Sequence, residues 1–148
     1  MLSTLEKVVA LQEIEVFQNL TTDDLIYIAS IADECSFDAD DVIFNQDGVP
    51  DSMYVVLEGR VRLHQGAAEV TVAGISDAFG TWALFDDEPR VMTATAVENC
   101  RLLRIEKDDF VDLLADNINI TQGIMKALVR RVRRLMILVS GRTPSAIK

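Results

Sequence analysis

The stretch that decides the fold is MYVVLEGRVRLHQ, residues 53–65. It contains two runs rich in β-branched and aromatic residues, separated by a Glu-Gly turn signal, and such runs are typical of β-strands. In the second run, alternation places Val61 and Leu63 on one face of the strand. Arg62 and His64 fall on the opposite face, so we expect His64, the only histidine, to lie at the protein surface.

Similar runs continue on both sides of this stretch. Between Cys35 and Glu106, the short runs CSF, VIFN, EVTVAGI, VMTATAV and RLLRIE are separated by turn-forming segments such as DADD and QGAA. Strands at this spacing favour an antiparallel sandwich or barrel over alternating βα units. Helical periodicity occurs only outside this region, so the predicted order is two helices, an antiparallel β-region and two more helices, which is an α+β fold.

The chain has 148 residues, the size of one domain, and 49% of them are apolar, which is enough for a substantial core. We therefore interpret residues 1–148 as a single domain. Its expected parts are N-terminal helices (1–34), a β-region (35–106), C-terminal helices (107–139) and a tail (140–148).

The two cysteines, Cys35 and Cys100, lie far apart and form no CxxC motif. The N-terminus carries Glu6 and Lys7 before any apolar stretch develops, so it does not resemble a secretion signal. Reduced thiols in a cytoplasmic protein are therefore expected. The apolar run LMILV is far too short to cross a membrane.

Charge is distributed unevenly along the chain, whose formal net charge is −10. All 24 acidic residues lie at or before Asp116, whereas seven of the 14 basic residues lie at or after Lys126. An acidic body argues against nucleic acid as the main partner, because phosphate contacts dominate that kind of affinity. The basic C-terminal segment needs a separate explanation.

The segment INITQGIMKALVRRVRRLMILVSGR, residues 118–142, predicts a long amphipathic helix that ends near Gly141 and Pro144. Three interpretations stay open for it. The helix packs on its own domain, it pairs with a second copy or an effector domain, or its basic side lies on an anionic membrane, for which the sequence offers no further support. A self-association surface would consist of the apolar residues Leu128, Val132, Leu135 and Val139.

Signals for catalysis are weak. Adjacent acids such as Asp86 and Asp87 are usually solvated when they occur in turns. The lone His64 offers no cluster for a metal or a nucleophile, and the seven glycines match neither GxGxxG nor GxxxxGK followed by Ser or Thr. We therefore expect no enzyme activity, no metal and no cofactor.

The segment FGTWALFDDEPRVMTATA, residues 79–96, carries the main binding signal. A glycine turn that opens a short helix exposes backbone N–H groups, which attract anions. Arg90 follows shortly afterwards, and a guanidinium can bind phosphate through two parallel hydrogen bonds. On the residues alone, the alternative is that Arg90 neutralises Asp86, Asp87 or Glu88.

Four segments together resemble one known family. They are VFQNLTTDDLIYIA, FDADDVIFNQDGVPDSMYVVLEGRVRL, FGTWALFDDEPRVMTATA and LLRIEKDDFVDLL, and they occur in the family's order. Over about residues 10–135, the chain is similar to the cyclic nucleotide-binding domains of bacterial cAMP receptor proteins, protein kinase A regulatory subunits and cyclic nucleotide-gated channels. The resemblance implies a jelly-roll-type β-roll of about eight strands flanked by helices, a cAMP or cGMP ligand, and an allosteric output in signal transduction.

The resemblance places a phosphate-binding cassette at residues 79–93. Arg90 corresponds to the family's phosphate-binding arginine. Thr81 stands where the family usually has a glutamate that accepts the ribose 2′-hydroxyl, and Met92 stands where a small alanine is usual. Trp82 is larger than the usual aliphatic residue. The implied ligand-binding residues are Gly80, Thr81, Trp82, Ala83, Leu84, Arg90, Val91, Met92 and Thr93.

Two functional hypotheses follow. The first is a regulatory or sensor domain that binds cAMP or cGMP, with an affinity limited by Thr81 or Met92, and that signals through its C-terminal helix. The second is a degenerate domain without nucleotide binding, which serves as a protein-interaction or oligomerisation module of a larger protein.

Overall fold

The computed structural model describes residues 1–140, in which the strands of two four-stranded antiparallel sheets come between the N-terminal and C-terminal helices along the chain. The helices are α1 (Thr4–Gln12), α2 (Thr22–Ser30), α3 (Lys107–Asp116) and α4 (Ile118–Ser140), with 3₁₀ helices at Glu15–Phe17 and Thr81–Leu84. The strands are β1 (Ala32–Phe37), β2 (Val42–Phe44), β3 (Ser52–Glu58), β4 (Val61–Gln65), β5 (Ala68–Ala73), β6 (Ala78–Phe79), β7 (Thr93–Ala96) and β8 (Cys100–Glu106). This arrangement confirms the predicted eight-stranded β-roll with helical flanks.

Capping boxes define the starts of both N-terminal helices. The Ser3 hydroxyl accepts a hydrogen bond from the Glu6 N–H, and the Glu6 carboxylate accepts one from the Ser3 N–H. Thr21 and Asp24 form the same reciprocal pair at the start of α2. Each box satisfies two backbone donors at the helix start, which explains why Ser3 and Thr21 stand at the starts of α1 and α2.

Strand β3 explains why the quoted stretch begins with an almost continuous apolar run. All of Ser52–Val56 is buried. Met53 and Val55 pack in a core with the helices, whereas Tyr54 and Val56 pack in a second core between the sheet β1-β8-β3-β6 and the sheet β2-β7-β4-β5. Each buried side chain of this size contributes about 1.5–3 kcal/mol, so one strand anchors both layers.

The expected surface position of His64 is wrong. The pairing of β4 with β5 changes register between Leu63 and His64, and both residues are buried, with only 9% of His64 exposed. The Gly66 carbonyl oxygen lies 2.7 Å from Nδ1, and the Thr95 hydroxyl lies 2.8 Å from Nε2. Because a carbonyl can only accept, Nδ1 donates the proton, and His64 ties β4 to β7 as a structural residue.

Two boundaries differ from the expected ones. Strand β1 begins at Ala32 rather than at residue 35, because Ala32 already pairs with Ile105 of β8. Helix α4 continues to Ser140. The rest of the expected tail, with the predicted helix-ending residues Gly141 and Pro144, lies outside the described residues. Across residues 1–140, no helix has the length and apolar character needed to span a bilayer.

Candidate ligand-binding site

A left-handed turn at Gly80 sets the geometry of the candidate site. Gly80 has φ of 70° and connects β6 to the 3₁₀ helix Thr81–Leu84. This backbone conformation favours glycine because it has no Cβ. The predicted helix start is thus a single four-residue turn, and its dipole is too short to hold an anion alone. A charged side chain must supply most of the attraction.

Arg90 supplies that charge from inside the protein, with only 6% of the residue exposed. Its Nη2 donates to the Ser52 carbonyl oxygen at 2.7 Å and approaches Asp51 Oδ1 at 3.4 Å. Its Nη1 lies 3.5 Å from the Gly80 carbonyl oxygen. The guanidinium carbon lies 3.9 Å from the centroid of the Phe44 ring, a cation–π geometry. Three separate segments, at Phe44, at Asp51 and Ser52, and at Gly80, therefore fix the orientation of this guanidinium.

One donor of Arg90, its Nε–H group, has no partner among residues 1–140. Its Nε is buried and makes no hydrogen bond within the described residues. Burial lowers the pKa of Arg90, although an arginine stays protonated in proteins. Leaving a buried donor unsatisfied costs about 1–3 kcal/mol, so the free protein carries this cost at Arg90.

The acids that follow the turn do not neutralise Arg90. Lys107 pairs with Asp87 at 2.6 Å, and this hydrogen bond lowers the pKa of Asp87. Asp86 and Glu88 are exposed. The alternative in which Arg90 serves this acidic cluster is therefore wrong, because the described ion-pair partner of Arg90 is Asp51 from the segment between β2 and β3.

A cavity of about 350 Å³ opens beside Arg90, and we call it the Arg90 cavity. This volume lies within the usual range of small-ligand sites. Its walls are mostly apolar, with Asp86 and Glu88 as the acidic lining residues. The complete lining is Phe44, Pro50, Leu63, Gly80, Trp82, Ala83, Asp86, Glu88, Pro89, Arg90, Val91 and Met92.

The structure brings six of the nine sequence-predicted ligand residues to this cavity, namely Gly80, Trp82, Ala83, Arg90, Val91 and Met92. The other three lie elsewhere. Leu84 is buried in the core beneath the helices. The Thr93 hydroxyl accepts a hydrogen bond from the Gln46 N–H at 2.9 Å. Thr81 lines a second cavity, of about 400 Å³.

The second cavity, which we call the Glu15 cavity, contains charged residues that the sequence reasoning missed. Arg131 of α4 lies with its guanidinium carbon 4.8 Å from the Trp82 ring centroid and its Nη1 3.1 Å from Glu15 Oε2. Arg131 was predictable in part, because it follows Ile124 by seven residues and so shares the buried face of the helix. Glu15 gave no comparable signal.

The fold and the buried arginine beside a ligand-sized cavity define a class, that of helix-flanked β-roll domains with a candidate ligand pocket. The family model of the cyclic nucleotide-binding domain matches residues 34–117, more than half of the chain. The chain belongs to the cyclic nucleotide-binding domain family. The matched segment is a regulatory domain, and no group of three or more His, Cys, Asp or Glu side chains in residues 1–140 is arranged to hold a metal ion.

Relatives and solved structures agree with this membership. The chain is 25% identical over 124 residues to a CRP-like cAMP-activated global transcriptional regulator of Mycobacterium tuberculosis, covering 80% of this chain and 55% of that protein. It is 33% identical over 96 residues to the cyclic AMP receptor protein of Thermus thermophilus, covering 62% and 44%. The chain thus spans about half the length of these curated relatives.

One solved structure is matched by this chain over nearly all of its own residues. The N-terminal domain of a transcriptional regulator from Streptomyces coelicolor superposes with a TM-score of 0.80 at 27% identity, covering 85% of this chain and 94% of that one. The likeness therefore extends over the sheets and the flanking helices.

Proposed function

We propose that this chain is a regulatory domain that binds a 3′,5′-cyclic nucleotide, cAMP or cGMP, through its phosphate in the Arg90 cavity. The observation that carries the proposal is the buried guanidinium of Arg90, which lines a cavity of about 350 Å³ and keeps an unpartnered Nε. A hydrogen bond to a charged group contributes about 1.5–3 kcal/mol. A cyclic phosphate carries one negative charge and several acceptor oxygens, which match this donor.

Two features argue that the affinity is modest. Asp86 and Glu88 line the same cavity, and their charges oppose an incoming anion, although their exposure to solvent screens them. Met92 lines the cavity as well and occupies space near the expected phosphate position. The proposed domain therefore binds its nucleotide more weakly than an acid-free, fully open pocket would.

Helix α4 is the proposed output element. Arg131 joins α4 to Trp82, which lines both cavities, and to Glu15 of the first 3₁₀ helix. A ligand that shifts Trp82 must therefore change the contacts of Arg131. This direct packing supports signalling through α4, because the contact between Trp82 and Arg131 joins the cavity wall to the helix.

The proposed partner is a second copy of the chain, bound along α4. Val132, Leu135 and Val139 are exposed by 54%, 50% and 89%. We call these three residues the α4 stripe. Leu128 belongs to the same row but packs partly against its own core, so it contributes less to such a surface than the sequence indicates. Association of two stripes would remove costly apolar surface from water.

Isothermal titration calorimetry on the full chain tests nucleotide binding. We expect saturable heat with cAMP or cGMP and none with the non-cyclic 5′-AMP at the same concentrations. Absence of heat with both cyclic nucleotides, together with self-association of the same sample, would favour the second hypothesis. The exposed α4 stripe supports that second candidate, a protein-interaction module without nucleotide binding.

A further inference from the structure

The Glu15 cavity lies directly beside the Arg90 cavity. Leu63, Gly80, Trp82 and Met92 line both of them, so these residues form a shared wall. A ligand whose phosphate is held at Arg90 and whose remaining part passes this wall would reach the second cavity. The chemistry of that cavity then indicates which part of the ligand it accepts.

The charges of the Glu15 cavity disfavour a second anionic group. Its lining includes the three acids Glu13, Glu15 and Asp77, against the single cation Arg131. An excess of carboxylates repels phosphate and favours neutral groups that donate hydrogen bonds. The cavity therefore suits the uncharged part of a phosphorylated ligand, such as a sugar with a free hydroxyl.

Among these acids, Glu15 is the one held by two arginines. Its Oε2 accepts from Arg131 at 3.1 Å, and its Oε1 accepts from Arg134. By contrast, Glu13 is exposed and has no described hydrogen bond, and Asp77 uses Oδ2 to accept from the Gly74 N–H at 2.9 Å. A carboxylate offers about four lone-pair sites, so each oxygen of Glu15 keeps a free acceptor site.

In a 3′,5′-cyclic nucleotide, the phosphate esterifies both the 3′ and the 5′ oxygen, which leaves the 2′-hydroxyl as the only donor of the ribose. We propose that Glu15 accepts the hydrogen bond of this 2′-hydroxyl, while Arg131 and Arg134 hold its carboxylate in place. The acceptor thus comes from the 3₁₀ helix Glu15–Phe17, and not from Thr81, a residue that lines the same cavity. This inference rests on the proposed nucleotide binding.

The test compares affinities for cAMP and for 2′-deoxy-cAMP by calorimetry, in the wild-type chain and in Glu15→Gln. A hydrogen bond to a carboxylate predicts that the wild type prefers cAMP by about tenfold or more. In Glu15→Gln the preference should fall below about threefold. Glu13→Gln is the matched control, because it removes the same charge from the same cavity and should keep the wild-type preference.

The ratio separates ligand contact from a merely structural role. If Glu15 only attaches α4, Glu15→Gln lowers both affinities equally, the preference stays unchanged and the inference is overturned. If Glu13→Gln loses the preference for cAMP over 2′-deoxy-cAMP to the same extent, the inference is also overturned, because the net charge of the cavity would then explain the effect. Nucleotide binding that depends on Arg90 but shows no 2′-hydroxyl preference in the wild type overturns the inference alone, whereas no binding at all overturns the proposed function with it.

A second variant adds a positive result. Thr81→Glu in the Glu15→Gln background introduces a carboxylate at another residue that lines the same cavity. It should restore the preference for cAMP to about the wild-type value, because one charged acceptor is again available. Thr81→Glu in the wild-type background should change affinity by less than about threefold, because two carboxylates then compete for one donor.

Discussion

Arg90 lies against the backbone of Gly80 so closely that no side chain fits between them. A Cβ built on Gly80 would stand 2.6 Å from Arg90 Nη1 and 3.4 Å from the Phe44 ring. The same glycine has φ of 70°, a conformation that side chains disfavour. Glycine at this position is therefore needed for two independent reasons, the turn and the placement of the guanidinium.

The variant Gly80→Ala should disturb both the left-handed turn and the placement of the Arg90 guanidinium. The variant Gly66→Ala disturbs a left-handed turn alone, so comparing the two variants separates the effects. Gly66 also has a left-handed φ, of 58°, but a Cβ there meets nothing within 4 Å. Gly66→Ala should cost only the backbone term, about 1–2 kcal/mol in urea unfolding. Gly80→Ala should cost more and also weaken cyclic nucleotide binding by at least about tenfold. Equal effects of the two variants on affinity would show that the contact with Arg90 is unimportant for binding.

Removal of Arg90 should abolish the anchor of the nucleotide. Arg90→Ala should weaken cAMP or cGMP affinity by at least about tenfold, because a charge-assisted hydrogen bond is lost. It should also lower the free energy of unfolding by about 1–3 kcal/mol, because the guanidinium no longer satisfies the Ser52 carbonyl. Calorimetry and urea titration measure the two effects.

The control for this variant is Arg60→Ala, which removes the same charge from an exposed ion pair with Glu98. Exposed pairs contribute little to stability, and Arg60 lines neither cavity. The affinity of Arg60→Ala for cAMP or cGMP should stay within about twofold of wild type. An unchanged affinity in Arg90→Ala itself would place the nucleotide elsewhere in the protein.

The order of secondary structure was predictable because period and turn residues change where the elements change. The apolar run at β3 and the capping residues Ser3 and Thr21 are local signals with local causes. The burial of His64 was not predictable in this way. It depends on a register change against β5 and on Thr95, which lies 31 residues away in the chain. The alternation of residues within β4 carries no information about the register change or about Thr95.

The candidate site was predictable only where one short segment builds it. Residues 80–92 contribute the turn, the arginine and much of the Arg90 cavity wall. The groups that orient Arg90 come from Phe44 and from Asp51 and Ser52, about forty positions earlier. Glu15 and Arg131 meet across more than a hundred residues. Such contacts arise from tertiary packing, which residue spacing cannot reveal.

Met92 should limit the size of the ligand because it lines both cavities and is half-buried between them. Met92→Ala removes part of the shared wall, and cyclic nucleotide affinity should rise by about three- to tenfold as the steric barrier falls. Val91→Ala is the matched control, since Val91 lines the Arg90 cavity alone and is exposed. A gain in Val91→Ala equal to that in Met92→Ala would contradict a specific barrier at Met92.

The cysteines should react slowly in the folded protein. Both are free, and burial raises the pKa of the Cys100 thiol and of the half-buried Cys35 thiol. A raised pKa means less thiolate near neutral pH, so alkylation by iodoacetamide should proceed slowly at Cys35 and await unfolding at Cys100. Because the folded protein holds these thiol protons more tightly than the unfolded chain does, the free energy of unfolding should fall as pH rises above the ordinary thiol pKa and through the raised pKa of the folded state.

Mass spectrometry after timed alkylation reports each cysteine separately. The variant Cys100→Ala should flatten the alkaline loss of stability, because the group responsible for part of it is gone. Rapid modification of Cys100 in native buffer, at the rate of a small free thiol, would contradict the burial described for its sulfur. The single S–H proton of Cys100 is shared between the Arg60 and Glu98 carbonyl oxygens, each 3.2 Å from the sulfur, and burial of that sulfur is what raises the thiol pKa.

The α4 stripe should make the chain self-associate. Leu128, Val132, Leu135 and Val139 follow one another at spacings of four, three and four residues, which is the heptad pattern of paired helices. Because Leu128 already packs on its own core, the pairing surface should begin at Val132. The double variant Val132→Glu with Val139→Glu should be monomeric at high micromolar concentration, where the wild type dimerises, as measured by sedimentation velocity.

Val70→Glu on β5 is the control for the Val132→Glu half of this last experiment, since Val70 is 56% exposed, close to the 54% of Val132, and a glutamate replaces a valine in both cases. It should remain dimeric, because an exposed strand residue outside α4 does not bury on association. A wild-type chain that stays monomeric at every concentration contradicts the dimer outright. Dissociation by Val70→Glu and by the stripe variant alike would attribute association to net charge, because each glutamate adds to the −10 that the chain already carries.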